Sequence, residues 1–267
     1  MSLSSAMYTG VSGLLNNGQA MNVIGNNISN VNTVGYKEAR TLFSDMLSAN
    51  VGDAQIGTGV QLQTVQNIYT QGTNASSENV TDLAIQGNTF FTLTDGATTP
   101  TTYLSRAGAF SADANGHLVN ADGYQVLDAS GAAILLPVPA AGAVANATDF
   151  SKITKIGTDG TITFLATDGT TSVVLGGATP TKIGVSTVAD TSSLVKMGGS
   201  LYKTAGFTTA AANGTSEQIL SNTLEQSNVD MASEFVKMIV TQRAYSANSK
   251  TITTTDQMTQ EVLGLIR

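Results

Sequence analysis

The stretch DMASEFVKMIVTQRAYSANSKTITTTDQMTQEVLG, residues 230–264, decides the fold class predicted for this chain. Its apolar residues recur at the spacing of an α-helix. One seven-residue register contains Leu224, Met231, Met238, Tyr245, Ile252 and Ile266, with Thr259 as its weak member. The apolar stripe is widened by Phe235, Ile239, Val262 and Leu263. Because Asn228 or Asp230 can cap the start, with Glu234 in the first turn, the pattern predicts a long amphipathic helix from about Asp230 to Gly264.

The N-terminal stretch carries a matching pattern, and Met1 to Tyr36 contains no charged side chain. One seven-residue register contains Met7, Leu14, Met21 and Ile28, and the adjoining half-heptad positions hold Leu3, Ile24 and Val31. Gly10 and Asn17 interrupt this seam. The turn formers of NVNTVGYK predict that the helix ends near Asn30–Thr33.

Two helices at opposite ends of a chain, each with an apolar seam, can pack against each other. We therefore predict a coiled-coil stem made of residues 1–36 and 216–267, although two ordinary core helices of a globular domain would show the same pattern. Asn side chains near the first helix end are expected to shape its exit or to contact a neighbour. The predicted assembly residues are Met7, Leu14, Met21, Asn26, Asn27, Ile28, Val31, Leu224, Met231, Phe235, Met238, Ile239, Gln242, Tyr245 and Ile252.

The middle of the chain has the pattern of short antiparallel strands. Short runs rich in β-branched and aromatic residues alternate with turn dipeptides that favour type I′ turns. These dipeptides are Asp95-Gly96, Asn115-Gly116, Asp122-Gly123, Asp159-Gly160 and Asp168-Gly169. Together with the two helices they predict an α+β protein with an all-β central domain at residues 81–215.

Two segments of the sequence have a weaker pattern. We interpret residues 37–80 as an extended connecting region that opens with a short helix at EARTLFSDML. A short variable insert is predicted near residues 137–203, and its first part, Pro137 to Phe150, has the composition of a loop.

The composition excludes several classes of function. The chain of 267 residues has 12 Lys or Arg, 19 Asp or Glu and no Cys, with a net charge of −7. Nucleic-acid binding needs clustered positive charge, so we expect none. The absence of Cys excludes disulfide frameworks and thiolate ligands. The uncharged first stretch is too often interrupted by polar residues to span a membrane and lacks the features of a cleavable secretory signal, so we predict no membrane insertion.

The residues offer little basis for catalysis. His117 is the only histidine, and it follows an Asn-Gly turn rather than a nucleophile motif. Asp113 and Asp122 could act as an acid–base pair, but both lie beside turn residues. No phosphate-binding loop, dinucleotide fingerprint or metal-ligand spacing is present. We therefore predict no enzyme activity, no metal and no cofactor.

Several motifs resemble one known family. The run IGNNISNVNTVGYK, residues 24–37, is similar to the N-terminal signature of bacterial flagellar rod and hook proteins. The run LEQSNVDMASEFVKMIVTQRAYSANSKTITTTDQM, residues 224–258, is similar to their C-terminal signature. Between them, residues 81–93 and 103–127 resemble the shared central β segment, with Thr89 where the family often has a second Gly. These motifs occur in the family's order and cover about two thirds of the chain.

The resemblance implies an axial structural protein that is exported by the flagellar type III apparatus and polymerises into a hollow helical tube. MYTGVSGL, NVNTVGYK and SNVD are most like the hook protein, which transmits torque from motor to filament, so a hook subunit is the first expectation. The chain is short for a hook protein, which keeps the distal rod subunit open as the alternative. Implied partners are further copies of the chain, rod and hook–filament junction proteins, the hook cap and the export apparatus. A secreted enzyme such as a peptidoglycan hydrolase and a surface adhesin are the rival readings.

Overall fold

The computed structural model describes residues 3–47, 49–51, 54–97, 101–137, 149–177, 179–204, 206–212, 214 and 217–265. Two terminal helices flank a β-rich middle, so the predicted α+β class is confirmed. The chain divides into two compact units. The helical unit contains residues 1–31, 38–68 and 229–267, and the β unit contains residues 32–37 and 69–228. Residues 38–68, interpreted from the sequence as a connecting region, belong to the helical unit, and the chain passes between the units four times.

The helical unit contains two long helices, α1 (Leu3–Ser29) and α2 (Met231–Leu265). Asp230 caps α2, since its side-chain Oδ1 accepts the Ala232 N–H at 3.0 Å and its carbonyl accepts the Glu234 N–H at 3.0 Å. Among the described residues, neither helix has the length and apolarity needed to cross a membrane.

Leu224 does not join the helical register predicted for it. It lies in strand β20 (Thr223–Glu225), where it pairs with Ala75 of strand β5 (Asn74–Ser76). Residues 218–221 and 223–225 are extended, with a bend at Asn222 between them, although the sequence placed this segment in the helical stem. The cap at Asp230 explains this boundary, because the helix cannot extend in the N-terminal direction past its cap.

The helical unit also contains a hairpin of β1 (Ala39–Asp45) and β4 (Val60–Asn67), with β2 (Ala49–Val51) and β3 (Ala54–Ile56) between them. The prediction of a short helix at EARTLFSDML is therefore wrong, because most of this segment forms β1. Each residue of β1 from Ala39 to Asp45 has an antiparallel partner on β4, with one bulge between Leu42 and Phe43. Pairing with a distant strand has overridden the local helix signal.

The strands of the β unit are short and antiparallel. In chain order they are β5 (Asn74–Ser76), β6 (Leu83–Gln86), β7 (Phe90–Thr94), β8 (Thr102–Ser105), β9 (Phe110–Ala112), β10 (Leu118–Asn120), β11 (Gln125–Val126), β12 (Phe150–Ile156), β13 (Ile162–Ala166), β14 (Ser172–Val174), β15 (Gly184–Thr187), β16 (Val195–Gly198), β17 (Leu201–Lys203), β18 (Thr208–Ala211), β19 (Gln218–Ser221) and β20 (Thr223–Glu225). The largest sheet has the order β16-β17-β8-β7-β11-β10-β9, and β15 pairs with β7 and β18.

Much of the predicted variable insert is integrated into this unit. Strands β15 and β17 pair with β7 and β8 of the large sheet, while β12, β13 and β14 form a separate three-stranded sheet. The loop predicted from Pro137 to Phe150 lies largely outside the described residues, and its two end residues are joined by a hydrogen bond from the Phe150 N–H to the Pro137 carbonyl at 2.7 Å.

Two apolar clusters hold the β unit together. The larger one surrounds Phe91 and Phe110, whose rings meet edge to face with centroids 5.1 Å apart. The smaller one contains Phe90 and Tyr202, with Tyr69 packed in T-shaped contact against both rings. Aromatic pairs of this geometry add about 0.5–1.5 kcal/mol each beyond the burial of their area.

The predicted turn dipeptides lie between strands, but they do not form type I′ turns. A type I′ turn needs positive φ at both central residues. In all five pairs only the Gly has positive φ, from 66° at Gly96 to 86° at Gly123. At Gly116 the N–H bonds to the Asp113 carbonyl three residues earlier, as expected for a type I turn followed by a left-handed Gly. The preceding Asp or Asn side chains accept nearby backbone N–H groups, which favours this turn type.

Candidate assembly surface

Helices α1 and α2 pack antiparallel through small residues of α1. The Gly10 backbone faces the Ile252 side chain, and Gly13 faces Asn248, so closely that a Cβ on Gly13 would lie 2.6 Å from the Asn248 amide nitrogen. At the other end of the pair, Asn27 contacts Glu234. The buried positions of α1 follow helical spacing: Gly10, Gly13, Asn16, Ala20, Ile24 and Asn27.

The apolar seam predicted on α1 borders this contact face. Met7, Leu14, Met21, Ile28 and Val31 are each half-buried. Gly10, which the heptad pattern treated as an interruption, lies at the contact itself because the absence of a side chain lets the helices approach closely.

The predicted residues of α2 divide between two faces. Met238 and Ile252 are half-buried on the side that faces α1. Met231, Phe235, Ile239, Gln242 and Tyr245 are exposed.

The exposed part of α2 is strongly apolar over its first three turns. Ile239 is 50% exposed and Val236 is 61% exposed. We call this surface the α2 stripe, and its residues are Met231, Phe235, Val236, Ile239 and Val240. Contiguous exposed apolar side chains on a protein surface mark an interaction site.

Helix α1 and the hairpin of the helical unit also expose large apolar side chains. On α1 these are Tyr8, Val11 and Leu15, with Tyr8 74% exposed. On β1 and β4 they are Phe43 and Val65. The helical unit therefore presents apolar side chains on several of its elements.

The two neighbouring asparagines of α1 have different environments. Asn26 is exposed, and its side-chain and main-chain oxygens accept from the Asn30 amide. Asn27 is buried, and its amide bonds both backbone groups of Ala39 and the carboxylate of Glu234. Asn26 therefore holds Asn30 at the end of α1, while Asn27 joins three elements of the helical unit.

A charged group surrounds Glu234. Lys237 Nζ lies 2.5 Å from Glu234 Oε1 and 2.7 Å from Glu38 Oε1. Burial alone would lower the pKa of Lys237, but its hydrogen bonds to Glu234 and Glu38 outweigh burial and the pKa is raised. Lys237 is therefore held in its charged form beside the buried carboxylate.

A second buried ionic network lies in the β unit. Glu225 accepts from Lys37 Nζ at 2.6 Å, from Arg106 Nη1 at 3.2 Å and from the Gly72 N–H at 2.9 Å. The side chains of all three charged residues are 0–1% exposed. The Glu225 carbonyl also accepts the Gly35 N–H at 2.8 Å. One carboxylate therefore joins four segments that are far apart in the sequence.

The two cations of this network also donate hydrogen bonds to backbone carbonyls. Lys37 Nζ donates to Thr70 at 2.7 Å, and Arg106 Nη2 donates to Gly87 at 2.7 Å. Burial lowers the pKa of Lys37, and the attraction of Glu225 opposes this shift. The arrangement has the features of a structural ion network, since its charges are paired and withdrawn from solvent.

The residues considered for catalysis make hydrogen bonds within turns. The His117 carbonyl accepts the Asp113 N–H at 2.8 Å, and the Asp122 N–H donates to the Asn120 side chain at 3.1 Å. Within the described part of the chain, no group of three His, Asp or Glu side chains is placed to hold a metal ion.

Sequence reasoning missed the residues that contribute most buried polar contacts, namely Asn16, Lys37, Arg106 and Glu225. Asn16 Nδ2 donates to the Val60 carbonyl at 2.8 Å and ties α1 to β4. The spacing of small and polar residues along α1 was a signal that could have revealed this face, whereas nothing local marks Glu225.

Comparison with protein families gives three matches along the chain. A model described as "Flagella basal body rod protein" matches residues 7–37. One described as "Flagellar hook protein FlgE/F/G D1 domain" matches residues 84–164, and one described as "Flagellar basal body rod FlgEFG protein C-terminal" matches residues 220–265.

Individual relatives cover most of the chain. It is 38% identical to the flagellar basal-body rod protein FlgG of Bacillus subtilis (strain 168), over 98% of this chain and 99% of that protein. It is 33% identical to the FlgG of Agrobacterium fabrum, over 89% of this chain and 90% of that protein. It is 39% identical to the flagellar hook protein FlgE of Borreliella burgdorferi, but this match covers only 45% of this chain and 30% of that protein.

Proposed function

The chain belongs to the flagellar rod and hook family of axial proteins, and from this premise we propose that it is a structural subunit of the distal rod of the flagellar basal body. The observation that carries the proposal is the match with rod proteins along nearly the whole length of both chains. The hook reading, which the sequence favoured, has weaker support because the hook relative matches less than half of this chain. The alternative kept open from the shortness of the chain is therefore the better one.

The exposed apolar surface of the helical unit supports a self-assembling subunit. A patch that contacts a different patch on the next copy produces an open helical polymer. Burying the exposed half of the five side chains in the α2 stripe would contribute about 1 kcal/mol each, or roughly 5 kcal/mol per subunit before the cost of association. We infer that further copies of the chain cover this stripe.

The coiled-coil stem predicted from the sequence remains a proposal for the assembled state. The half-buried and buried positions of α2 support it, because most of them fall on two seven-residue registers, with Ala244 and Ser249 outside both. The first register is Glu234, Thr241, Asn248 and Thr255, and the second includes Met238, Ile252 and Thr259. Most of these side chains are small or polar, so the stem would be held by close approach rather than by large apolar knobs.

The remaining parts of the proposal concern location and partners. A rod subunit would leave the cytoplasm through the flagellar type III export apparatus and would meet the other rod proteins of the basal body. Contacts with the hook cap and the hook–filament junction proteins would follow only if the chain were a hook subunit.

Polymerisation of the purified protein tests this function. We expect wild-type protein to form straight tubes visible by electron microscopy, and Ile239→Asp to abolish them, because a charge at the centre of the α2 stripe cannot be buried unpaired. Ile239→Leu keeps the apolar area and is the matched control, expected to assemble. Tubes formed by Ile239→Asp would contradict the assignment of the stripe.

Genetic deletion separates rod from hook. Loss of a rod subunit should leave cells without a complete rod or hook, whereas loss of a hook subunit should leave a straight rod stub. A rod stub of full length in the deletion strain would refute the distal rod proposal.

A further inference from the structure

The contact between α1 and α2 combines small residues along its length with one buried polar pair at its end. Gly10 and Gly13 of α1 face Ile252 and Asn248 of α2. The polar pair is Asn27 with Glu234, whose Nδ2 and Oε2 atoms lie 2.9 Å apart, and both residues are 1% exposed. These contacts fix one antiparallel alignment of the two helices.

Apolar packing alone discriminates weakly between alignments of these helices. Most of the facing positions of α2 carry short side chains (Thr241, Ala244, Asn248 and Thr255), and the larger ones are Met238 and Ile252. On α1 the facing positions include two glycines, which offer no knob to fill a particular hole. A slip of one helical turn would therefore exchange most of these small contacts for others of the same kind, and it would move Ile252 away from Gly10.

The polar pair distinguishes the alignments much more strongly. A slip of one turn sets Asn27 against Met231 or Met238, and neither side chain can accept its hydrogen bond well. The Glu234 carboxylate would lose the Asn27 donor and keep its ion pair with Lys237, which lies on the same helix. Buried polar groups that can be satisfied in only one alignment are the best-attested device for setting helix register.

We propose that Asn27 and Glu234 are positioning residues that set the register of α1 against α2. Asn27 also accepts the Ala39 N–H at 3.0 Å and donates to the Ala39 carbonyl at 2.8 Å. The same side chain therefore also fixes the position of α1 relative to strand β1. The pair thereby determines where the α2 stripe lies relative to the exposed side chains Tyr8 and Leu15 of α1. The consequence for assembly rests on the proposed function, but the register itself does not.

Disulfide trapping measures the register directly, because the chain contains no native Cys. A Cβ on Gly10 would lie 3.0 Å from Ile252 Cγ1, so the pair Gly10→Cys/Ile252→Cys reports the observed register. The pair Gly10→Cys/Thr255→Cys reports a slip of about one turn, which moves α2 by roughly 5 Å. Intramolecular bonds are read as faster migration of the monomer on a non-reducing gel.

Two substitutions of Glu234 form a matched set. Glu234→Met removes the acceptor, keeps a good helix former and leaves Asn27 bonded to Ala39 and Lys237 bonded to Glu38. Glu234→Gln keeps an acceptor oxygen for Asn27. We expect Glu234→Met to reduce trapping at position 252 several-fold and to raise it at 255, whereas Glu234→Gln keeps the wild-type pattern. Unchanged trapping in Glu234→Met overturns the proposal.

Moving the acceptor gives a positive test. In Glu234→Met/Met238→Glu the carboxylate is one turn further along α2, so Asn27 can reach it only if α2 slips by one turn. The trapped bond should then move from position 252 to position 255. Trapping that stays at 252, or that is lost at both positions, overturns the proposal. Because the readout is intramolecular, tube formation by the same proteins tests the proposed function separately.

Discussion

Glu225→Gln should destabilise the β unit strongly. The Glu225 carboxylate is 0% exposed and is the shared acceptor of two buried cations, Lys37 and Arg106. Neutralising it leaves both cations in the interior without an opposite charge, and their mutual repulsion then acts unopposed. Breaking a buried ion network by removing one partner costs about 3–5 kcal/mol. The Gln side chain also directs N–H groups toward one of the existing donors, which adds to the loss.

Urea denaturation measures this effect. With a loss of about 4 kcal/mol and an m-value of about 3 kcal/mol/M, the midpoint should fall by roughly 1.3 M. Tyrosine fluorescence is a suitable signal because the chain has no Trp, and Tyr69 and Tyr202 pack together in the smaller core cluster of the same unit. Circular dichroism at a wavelength dominated by strands provides a second probe of the same transition.

Two further variants make this prediction sharper. Glu78→Gln removes a carboxylate from an exposed position of the β unit and should move the midpoint by less than about 0.2 M. The triple replacement of Lys37, Arg106 and Glu225 by Met removes every charge of the network, and we expect it to recover most of the lost stability. If Glu225→Gln shifts the midpoint no more than Glu78→Gln does, the reasoning about buried charge is refuted.

Three other substitutions have outcomes that follow from local geometry. Gly35→Ala should lower the free energy of unfolding by about 2 kcal/mol or more, because Gly35 has a φ of 67° and a Cβ there would lie 2.4 Å from the Ala107 nitrogen. Gly18→Ala should raise it by about 0.5–1 kcal/mol, because Gly18 lies on α1 with open space around it. Melting temperatures of the two variants that change in the same direction would contradict this. Asp168 has its pKa lowered to about 2 by hydrogen bonds from Thr171 and Thr170, so it stabilises the fold above pH 3.8 and this contribution disappears as the pH falls toward 2. Wild type should therefore melt above Asp168→Asn at pH 5 and together with it near pH 2, and a difference that persists at pH 2 would show that another cause is at work.

The parts of the fold carried by near neighbours in the sequence could be predicted. The 3.6-residue periodicity indicated α2, and the cap at Asp230 was among the two positions named for it. The Asp-Gly and Asn-Gly pairs located turns, because Gly supplies the positive φ that a tight reversal requires. The turn type was wrong, since an Asp or Asn before Gly suits both type I′ turns and type I turns that end in a left-handed Gly.

The parts that depend on distant contacts could not be predicted. Strand β1 had a local helix signal, and its pairing with β4 reversed that choice. A heptad pattern rewards large apolar side chains, so it selected Met7 and Leu14 and passed over Gly10, where the absence of a side chain lets α2 approach closely.

The sequence by itself determined that both ends of the chain are helical, that the middle is rich in β-strands, and which family the chain resembles. Periodicity, turn chemistry and motifs are properties of neighbouring residues. Only the tertiary structure decided which carboxylates are buried and what they bind. Nothing in the sequence distinguishes Glu225 and Glu234 from exposed glutamates. In the structure Glu225 pairs with Lys37, which is 188 residues away in the sequence, and Glu234 bonds Asn27, which is 207 residues away. The physical reason is that the cost of burying a charge is offset by partners, and most partners of these two carboxylates are brought to them by the folded chain from far along the sequence.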